Sequence, residues 1–290
     1  AISSGLDIDK FAPRLSFFFN CHNDFFEEIA KFRAARKLWH DLIDNRYDSK
    51  NPKSKKLRFH TQVAGVSLTA QQPLNNIARV TIQALAAVCG GTQSLHTNSY
   101  DEAIGLPTED SATIALRTQQ IIAEESGAAD VVDPLGGSHY VEYLTNKIYD
   151  DSMSMINEID SMGGAMAAIK EGWQQRQIHN SAYKHLKDVE SGERKIVGVN
   201  HGMMDENNPI KAMKLDDQLG EAQRKKLEIL RMNRNAESVN EALQAIRDAA
   251  KTNYNLFPLV LDAIRSDCTL GEIMQAMKDE FGTWMAPSGF

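Results

Sequence analysis

The chain has 290 residues, 42% of them hydrophobic and 24% charged, and a formal net charge of -7. That is enough apolar sequence for one large domain or a domain with an appendage. Acids and bases interleave with no basic run long enough to track a phosphate backbone, and no apolar run approaches the ~20 residues of a membrane span, so neither nucleic acid nor membrane is an expected partner.

The chain opens at Ala1, and Ile2 to Asp9 read like the inside of a domain, so an upstream segment is expected. From there the first hundred residues repeat one pattern three times, a short strand followed by an amphipathic helix, the βα unit of a parallel sheet. The first strand is predicted over Arg14 to Asn20. Its helix starts at Asp24, where Glu27 makes a capping box, and carries Phe25, Ile29, Phe32, Ala35, Leu38, Trp39 and Leu42 on one stripe. The second strand is predicted over Leu57 to Val63. Pro73 suits the first turn of the next helix, which carries Ile77, Val80, Ala84, Leu85 and Val88 and stops at Gly90-Gly91. The third strand spans Thr92 to Asn98, and a helix from Ser111 to Glu125 follows, closed by Gly127.

Each unit uses roughly 35 to 45 residues, somewhat above the ~30 per unit of an eight-fold barrel. Three units cannot close one. After Asp133 the pattern turns helical, with helices predicted over Tyr140 to Asp160, Gly164 to Lys187, Gly220 to Arg234 and Val239 to Lys251. A strand-like Lys195 to Val199 interrupts them, and Asp205 to Pro209 reads as an exposed loop. The last helix opens at Thr269 with Glu272 as its capping-box partner and ends near Gly282. Two regions are therefore expected, 1–133 built from βα units and 134–290 helical. Cys21, Cys89 and Cys268 are far apart and lack metal-ligand spacing, which fits buried thiols in a reducing compartment and a cytoplasmic protein.

Residues two apart share a strand face. Arg14, Ser16, Phe18 and Asn20 fall on one face of the first strand, Arg58, His60 and Gln62 on one face of the second, and Ser94, His96 and Asn98 on one face of the third. A barrel lumen is normally packed with Val, Ile and Leu. Polar groups there would each cost ~1 to 3 kcal/mol unpaired, unless a polar ligand threads the space. The other reading is a sheet with one face in water, where such alternation is ordinary. Gly65 follows the second strand, and Glu102 with Gly105 the third, at the carboxyl ends where such barrels place their chemistry. By themselves they read first as turn residues.

Phe11 to Phe19 (F-A-P-R-L-S-F-F-F), Arg58 to Thr69 (R-F-H-T-Q-V-A-G-V-S-L-T) and Gly90 to Pro107 (G-G-T-Q-S-L-H-T-N-S-Y-D-E-A-I-G-L-P) resemble the catalytic subunit of the methylmalonyl-CoA mutase family. Asp133 to Ser138 (D-P-L-G-G-S) and Ile196 to Asn200 (I-V-G-V-N) continue the match, which runs in order along essentially the whole chain.

The resemblance implies an α/β fold, the last three strands of a TIM (β/α)8 barrel followed by a mostly helical segment. It implies an adenosylcobalamin-dependent radical rearrangement of an acyl-CoA, the CoA entering along the barrel axis. On that reading Arg14 and Ser16 hold CoA phosphate and ribose groups. Arg58, His60 and Gln62 line the channel near the thioester, with His60 and Gln62 the candidate catalytic pair. Gln93 and Ser94 hydrogen-bond the pantetheine, and Gln62, Gly65, Glu102 and Gly105 face the corrin and adenosyl side. The implied partners are the acyl-CoA substrate, a cobalamin-binding small subunit or domain, and further copies in an oligomer.

The family's general-acid histidine, its carboxylate-pairing arginine and its tyrosine wedge belong to earlier strands and are absent here, as is the D-x-H-x-x-G signature of the cobalamin domain. At Phe19 to Asp24 the chain reads F-N-C-H-N-D where methylmalonyl enzymes tend to have W-G-I-G-M-N, and Val66 replaces a usual tryptophan. That wording is closer to the isobutyryl-CoA or 2-hydroxyisobutyryl-CoA branch. Two alternatives stand beside the mutase: a non-catalytic interaction subunit, and a CoA-binding protein without cobalamin.

Overall fold

The computed structural model describes residues 1–205, 213 and 216–285. They form two compact units, divided between Met213 and Lys214, each described by itself.

The first unit opens with a 3-10 turn at Ile2–Ser4, α1 (Ile8–Phe11) and a second 3-10 turn at Ala12–Arg14, then alternates strand and helix. In order come β1 (Phe17–Cys21), α2 (Phe25–Asp41), β2 (Phe59–Val63), α3 (Asn75–Cys89), β3 (Ser94–His96) and α4 (Glu109–Glu125). The strands form a parallel sheet in the order β1-β2-β3, with Phe18 beside His60, His60 beside Ser94, and Gln62 between Asn20 and His96. Three predicted βα units thus appear in the expected order. The helix starts follow from their caps: Asp24 accepts from the Glu27 N–H, and Thr108 from that of Ser111.

The sheet's two faces differ sharply. Phe17, Phe19, Phe59 and Leu95 turn toward the helices, where Ile29, Phe32, Ala86 and Ala87 form one core with Cys21 and Leu57. The Phe32 ring stacks on Phe59 at 5.1 Å between centroids. Val63, Leu68, Val80, Ala84 and Ile122 make a second cluster between β2, α3 and α4. Opposite lie Phe18, Asn20, Ser94 and His96, all exposed, and His60 and Gln62, half-buried.

Helices α5 (His139–Ser161), α6 (Ala165–Lys170) and α7 (Trp173–Glu190) complete this unit. Arg33 of α2 pairs with Asp133 at 2.9 Å and with Glu142 of α5 at 2.7 Å. The change of pattern expected at 133 to 134 therefore lies inside a unit that runs to Met213.

The second unit contains α8 (Asp217–Asn233), α9 (Ala236–Ala250), α10 (Phe257–Arg265) and α11 (Leu270–Phe281). Val239, Leu243, Ile246, Ala263, Ile273 and Ala276 form its core. Thr269 and Glu272 make the full capping box read from the sequence.

Four sequence expectations are corrected. Arg14 lies in the 3-10 turn that Pro13 helps to start, so the first strand begins only at Phe17. The helix predicted over Gly164 to Lys187 breaks at Gly172, whose φ of 72° leaves the helical region. Lys195 to Val199 is a turn, with one isolated bridge from Val197 to His201: Asn200 accepts from the Ile196 N–H at 2.7 Å and donates to the Val189 and Arg194 carbonyls. α10 has no counterpart among the predicted elements. Of the predicted loop at Asp205 to Pro209, all but Asp205 lies outside the described residues; Asp205 is exposed.

Candidate functional site

Parallel strands sort the candidate residues by height. Those preceding the strands gather at the amino end of the sheet, those following at the carboxyl end, and ~3.3 Å per residue separates Arg58 from Ala64 by about 20 Å.

At the amino end Arg14 and Ser16 are exposed. Arg58 is also exposed, but its guanidinium bonds to the Pro13 carbonyl and reaches that of Leu15 at 3.3 Å. It brackets Arg14 from both sides along the chain. Gln93 accepts from the Phe59 N–H at 2.8 Å and donates to the Gly91 carbonyl at 2.9 Å, which leaves one side-chain N–H and one lone pair for a ligand.

In the middle of the sheet His60 Nδ1 lies 2.7 Å from Ser94 Oγ, and Phe18 packs against the His60 ring at 4.8 Å between centroids. This leaves His60 Nε2 as the second polar point of the ring. One step toward the carboxyl end, Gln62 donates to Asn98 Oδ1 at 3.1 Å, and Asn98 donates to the Val63 carbonyl at 3.0 Å. Asn98 is almost fully buried, so Gln62 is fixed from beneath.

At the carboxyl end Gly65 and Glu102 come together. A Cβ on Gly65 would collide with Glu102 Oε1 and lie 3.0 Å from Asn98 Nδ2. Partial burial raises the Glu102 pKa above the ordinary glutamate value, and the neighbouring Asp101 adds to it. The Gly105 N–H bonds to the Asp101 carbonyl at 3.1 Å, so its loop folds back toward Glu102.

A cavity of about 1040 Å³ opens beside this end, lined among others by His22, Asn23, Val66, Ser67, Arg79 and Ile178. It is bounded by the turns after β1 and β2, by α3 and by α7. Burial lowers the His22 pKa, so this imidazole favours its neutral form. The volume is slightly above the ~300 to 1000 Å³ typical of small-molecule sites. Among the described residues no group of three His, Cys, Asp or Glu side chains could hold a metal ion, and no helix is long and apolar enough to cross a membrane. All three cysteines are free, Cys21 and Cys268 buried and Cys89 half-buried.

The structure therefore places His60 with Ser94, Gln62 with Asn98, and Gly65 with Glu102, all on or beside one sheet face. Arg14, Ser16, Arg58 and Gln93 stand apart at the amino end. Sequence reading put Phe18 and Asn98 on this face without giving either a role, and it missed the cavity. Asn98 was legible only through alternation; the cavity depends on α7 and has no local signal.

The methylmalonyl-CoA mutase family model matches residues 1–283. A probable mitochondrial methylmalonyl-CoA mutase of Caenorhabditis elegans is 48% identical over 97% of the chain and 38% of its own length. The 2-hydroxyisobutanoyl-CoA mutase large subunit of Aquincola tertiaricarbonis is 43% identical over 97% of the chain and 50% of its own. The methylmalonyl-CoA mutase of Escherichia coli K12 is 45% identical over 99% of the chain and 40% of its own. The chain thus spans half or less of the length of these relatives. It belongs to the methylmalonyl-CoA mutase family, a family of isomerases.

Proposed function

We propose that the chain is the carboxy-terminal part of the catalytic subunit of an adenosylcobalamin-dependent acyl-CoA mutase. In this reading β1, β2 and β3 are the last strands of a TIM barrel, residues 1–133 contribute its CoA-binding part, and 134–290 form the helical segment after it. The supporting observation is the polar row on one face of a parallel sheet, His60 and Gln62 of β2 beside Ser94 of β3, with Arg14 and Arg58 at its amino end and Glu102 beyond its carboxyl end. An extended chain with a phosphate at one end and a reacting acyl group at the other matches it. Exposure of this face follows equally from a water-facing sheet, but Phe18, 66% exposed on it, favours a face that something covers.

Arg14 supplies a fixed positive charge for a CoA phosphate, with Ser16 as a neighbouring donor. Ser94 and the remaining Gln93 N–H suit the amides of a pantetheine arm. His60, braced by Ser94 and Phe18, presents its other ring nitrogen toward the thioester region, and Gln62, held by Asn98, presents an amide beside it. Precise placement of these groups holds the acyl chain in one reactive geometry and keeps water away from it.

For the cofactor the fit rests on the carboxyl ends of the strands, where Gly65 leaves a space that a Cβ would fill against Glu102 and Asn98, and where Gln62 and Gly105 add a polar and a small neighbour. The cavity of about 1040 Å³ opens beside them and is lined by other residues. Adenosylcobalamin, when bound, would supply the radical that starts the rearrangement. The cobalt's lower ligand would come from a cobalamin-binding small subunit or domain.

For the acyl group, the branch acting on isobutyryl-CoA or 2-hydroxyisobutyryl-CoA is the second reading. Of the positions where the chain departs from the methylmalonyl pattern, His22, Asn23, Asp24 and Val66 line the cavity beside the carboxyl ends. The test is turnover by the subunit containing this chain, reconstituted with a cobalamin-binding subunit, on methylmalonyl-, isobutyryl- and 2-hydroxyisobutyryl-CoA. Rearrangement of one of them supports the proposal. Acyl-CoA binding without turnover on any would favour the interaction-subunit alternative.

A further inference from the structure

Glu102 sits on an exposed turn, yet its carboxyl has a defined place against Gly65. Something must hold the turn. The residue before it, Asp101, is 1% exposed, among the most buried side chains of the first unit. Its Oδ2 accepts from the Thr108 N–H at 3.1 Å and the Thr108 hydroxyl at 3.3 Å. Its carbonyl accepts from the N–H groups of Ile104 at 2.8 Å and Gly105 at 3.1 Å. On its other side the Tyr100 carbonyl accepts from Asn76 at 2.8 Å, and Asn76 is itself fully buried. The peptide before Asp101 is therefore tied to α3, the Asp101 side chain to the start of α4 and its carbonyl to the turn itself, and Glu102 is the first residue free to point outward.

We infer that Asp101 is the positioning residue of this site: it fixes the 99–108 turn so that the Glu102 carboxyl is presented against Gly65 at the carboxyl end of the strands. What that carboxyl meets rests on the function proposed above; its placement does not.

Charge supports the same assignment. Burial opposes ionisation of Asp101, but hydrogen bonding in the turn, with the Thr108 N–H and hydroxyl on Oδ2, outweighs it and holds its carboxyl below the ordinary aspartate range, while Oδ1 is buried with no protein partner among the described residues. A turn that needed only its hydrogen bonds could use asparagine. The groups facing Glu102 from the neighbouring turns, Gly65 and Asn98, are uncharged, so Asp101 is the charge that acts on it. Its effect is to favour a protonated Glu102, which can donate as well as accept a hydrogen bond.

The test uses the full chain with Asp101→Asn, which keeps the shape and removes the charge, and Asp101→Ala, which removes both. Carbon-detected NMR follows the Glu102 carboxyl through a pH titration, its resonance assigned by loss in Glu102→Gln. Hydrogen exchange follows the Ile104 and Gly105 amides. Asp101→Asn should move the Glu102 midpoint down toward the ordinary ~4.3 while exchange stays near wild type. Asp101→Ala should exchange these amides at least about tenfold faster. An unchanged Glu102 midpoint in Asp101→Asn, or unchanged exchange in Asp101→Ala, would overturn the assignment. Should Asp101→Ala fail to fold, Asp101→Asn alone decides, because a purely structural aspartate would leave the Glu102 titration where it was. Neither readout needs cofactor or turnover, so failure of the mutase proposal would show separately.

Discussion

His60 and Ser94, 34 residues apart in sequence, meet as direct neighbours across β2 and β3, with Nδ1 2.7 Å from Oγ. The serine fixes the imidazole ring, and Phe18 leans on it from β1. Because Ser94 is exposed, its loss should cost the fold little, under about 1 kcal/mol. Binding should suffer more. Ser94→Ala and His60→Ala should each weaken acyl-CoA affinity about tenfold, read by calorimetry on the subunit containing this chain, with melting temperatures close to wild type. Undiminished affinity in both variants would remove the pair from the binding surface.

Gly65 makes a second prediction. Its φ is not in the left-handed region, so alanine is conformationally acceptable, and the obstacles are the Glu102 carboxyl, which can swing away, and the buried Asn98 amide at 3.0 Å, which has to shift slightly. Gly65→Ala should therefore cost about 1 kcal/mol of stability while weakening adenosylcobalamin retention by the reconstituted enzyme. Adding Glu102→Ala should relieve the crowding without restoring retention. Full retention in Gly65→Ala alone would show that this carboxyl's place does not matter.

Arg58 and Arg14 should behave as a coupled pair. Arg58 bonds to the carbonyls of Pro13 and Leu15, so it shapes the segment that carries Arg14. Arg14→Ala should weaken binding of CoA but not of pantetheine, which lacks the nucleotide phosphates. Arg58→Ala should do the same in part, and the double variant should fall short of the sum by about 1 kcal/mol. Strict additivity would mean that the two arginines act apart.

Acid should loosen both units between pH 4 and 2. Bonds from Ser49 and Ser54, against some desolvation, and from the Lys50 and Asn51 N–H groups hold the Asp9 carboxyl at about 2. The Arg234 guanidinium, opposed by burial and helped by Thr269, holds Glu272 at about 2. A depressed carboxylate pKa contributes stability above the unfolded value of about 4, and that contribution is lost as pH falls toward 2. Glu272→Gln should flatten the acid limb for the second unit, and Asp9→Asn for the first, in circular-dichroism melts from pH 7 to pH 2. Melting curves of the variants that still track wild type below pH 4 would assign the acid sensitivity elsewhere.

Much of this architecture is written locally. Caps at Asp24 and Thr269, and alternation across β1, β2 and β3, need only neighbours in sequence, and sequence reading finds them. Where it fails, distant partners decide. Val197 would suit a strand by its side chain, but Asn200 ties the segment to Val189 and Arg194 and makes it a turn. α10 is only nine residues long and starts beside Pro258, so it gives too short a pattern to separate from loop. The site divides in the same way. Which residues share a face follows from the two-residue period; that Arg58 and Gln93 use much of their polarity on backbone groups, and that Asp101 anchors the turn of Glu102, follows only from the folded chain.

The proposed role of this sheet face is to form the wall of an acyl-CoA channel. The most direct measurement is a crystal structure of the subunit containing this chain with an acyl-CoA thioether analogue. The pantetheine arm should run over Phe18, His60 and Ser94, with the nucleotide phosphates at Arg14 and the acyl end near Gln62. A face filled by aliphatic side chains of the same subunit, or an analogue bound elsewhere, would contradict it.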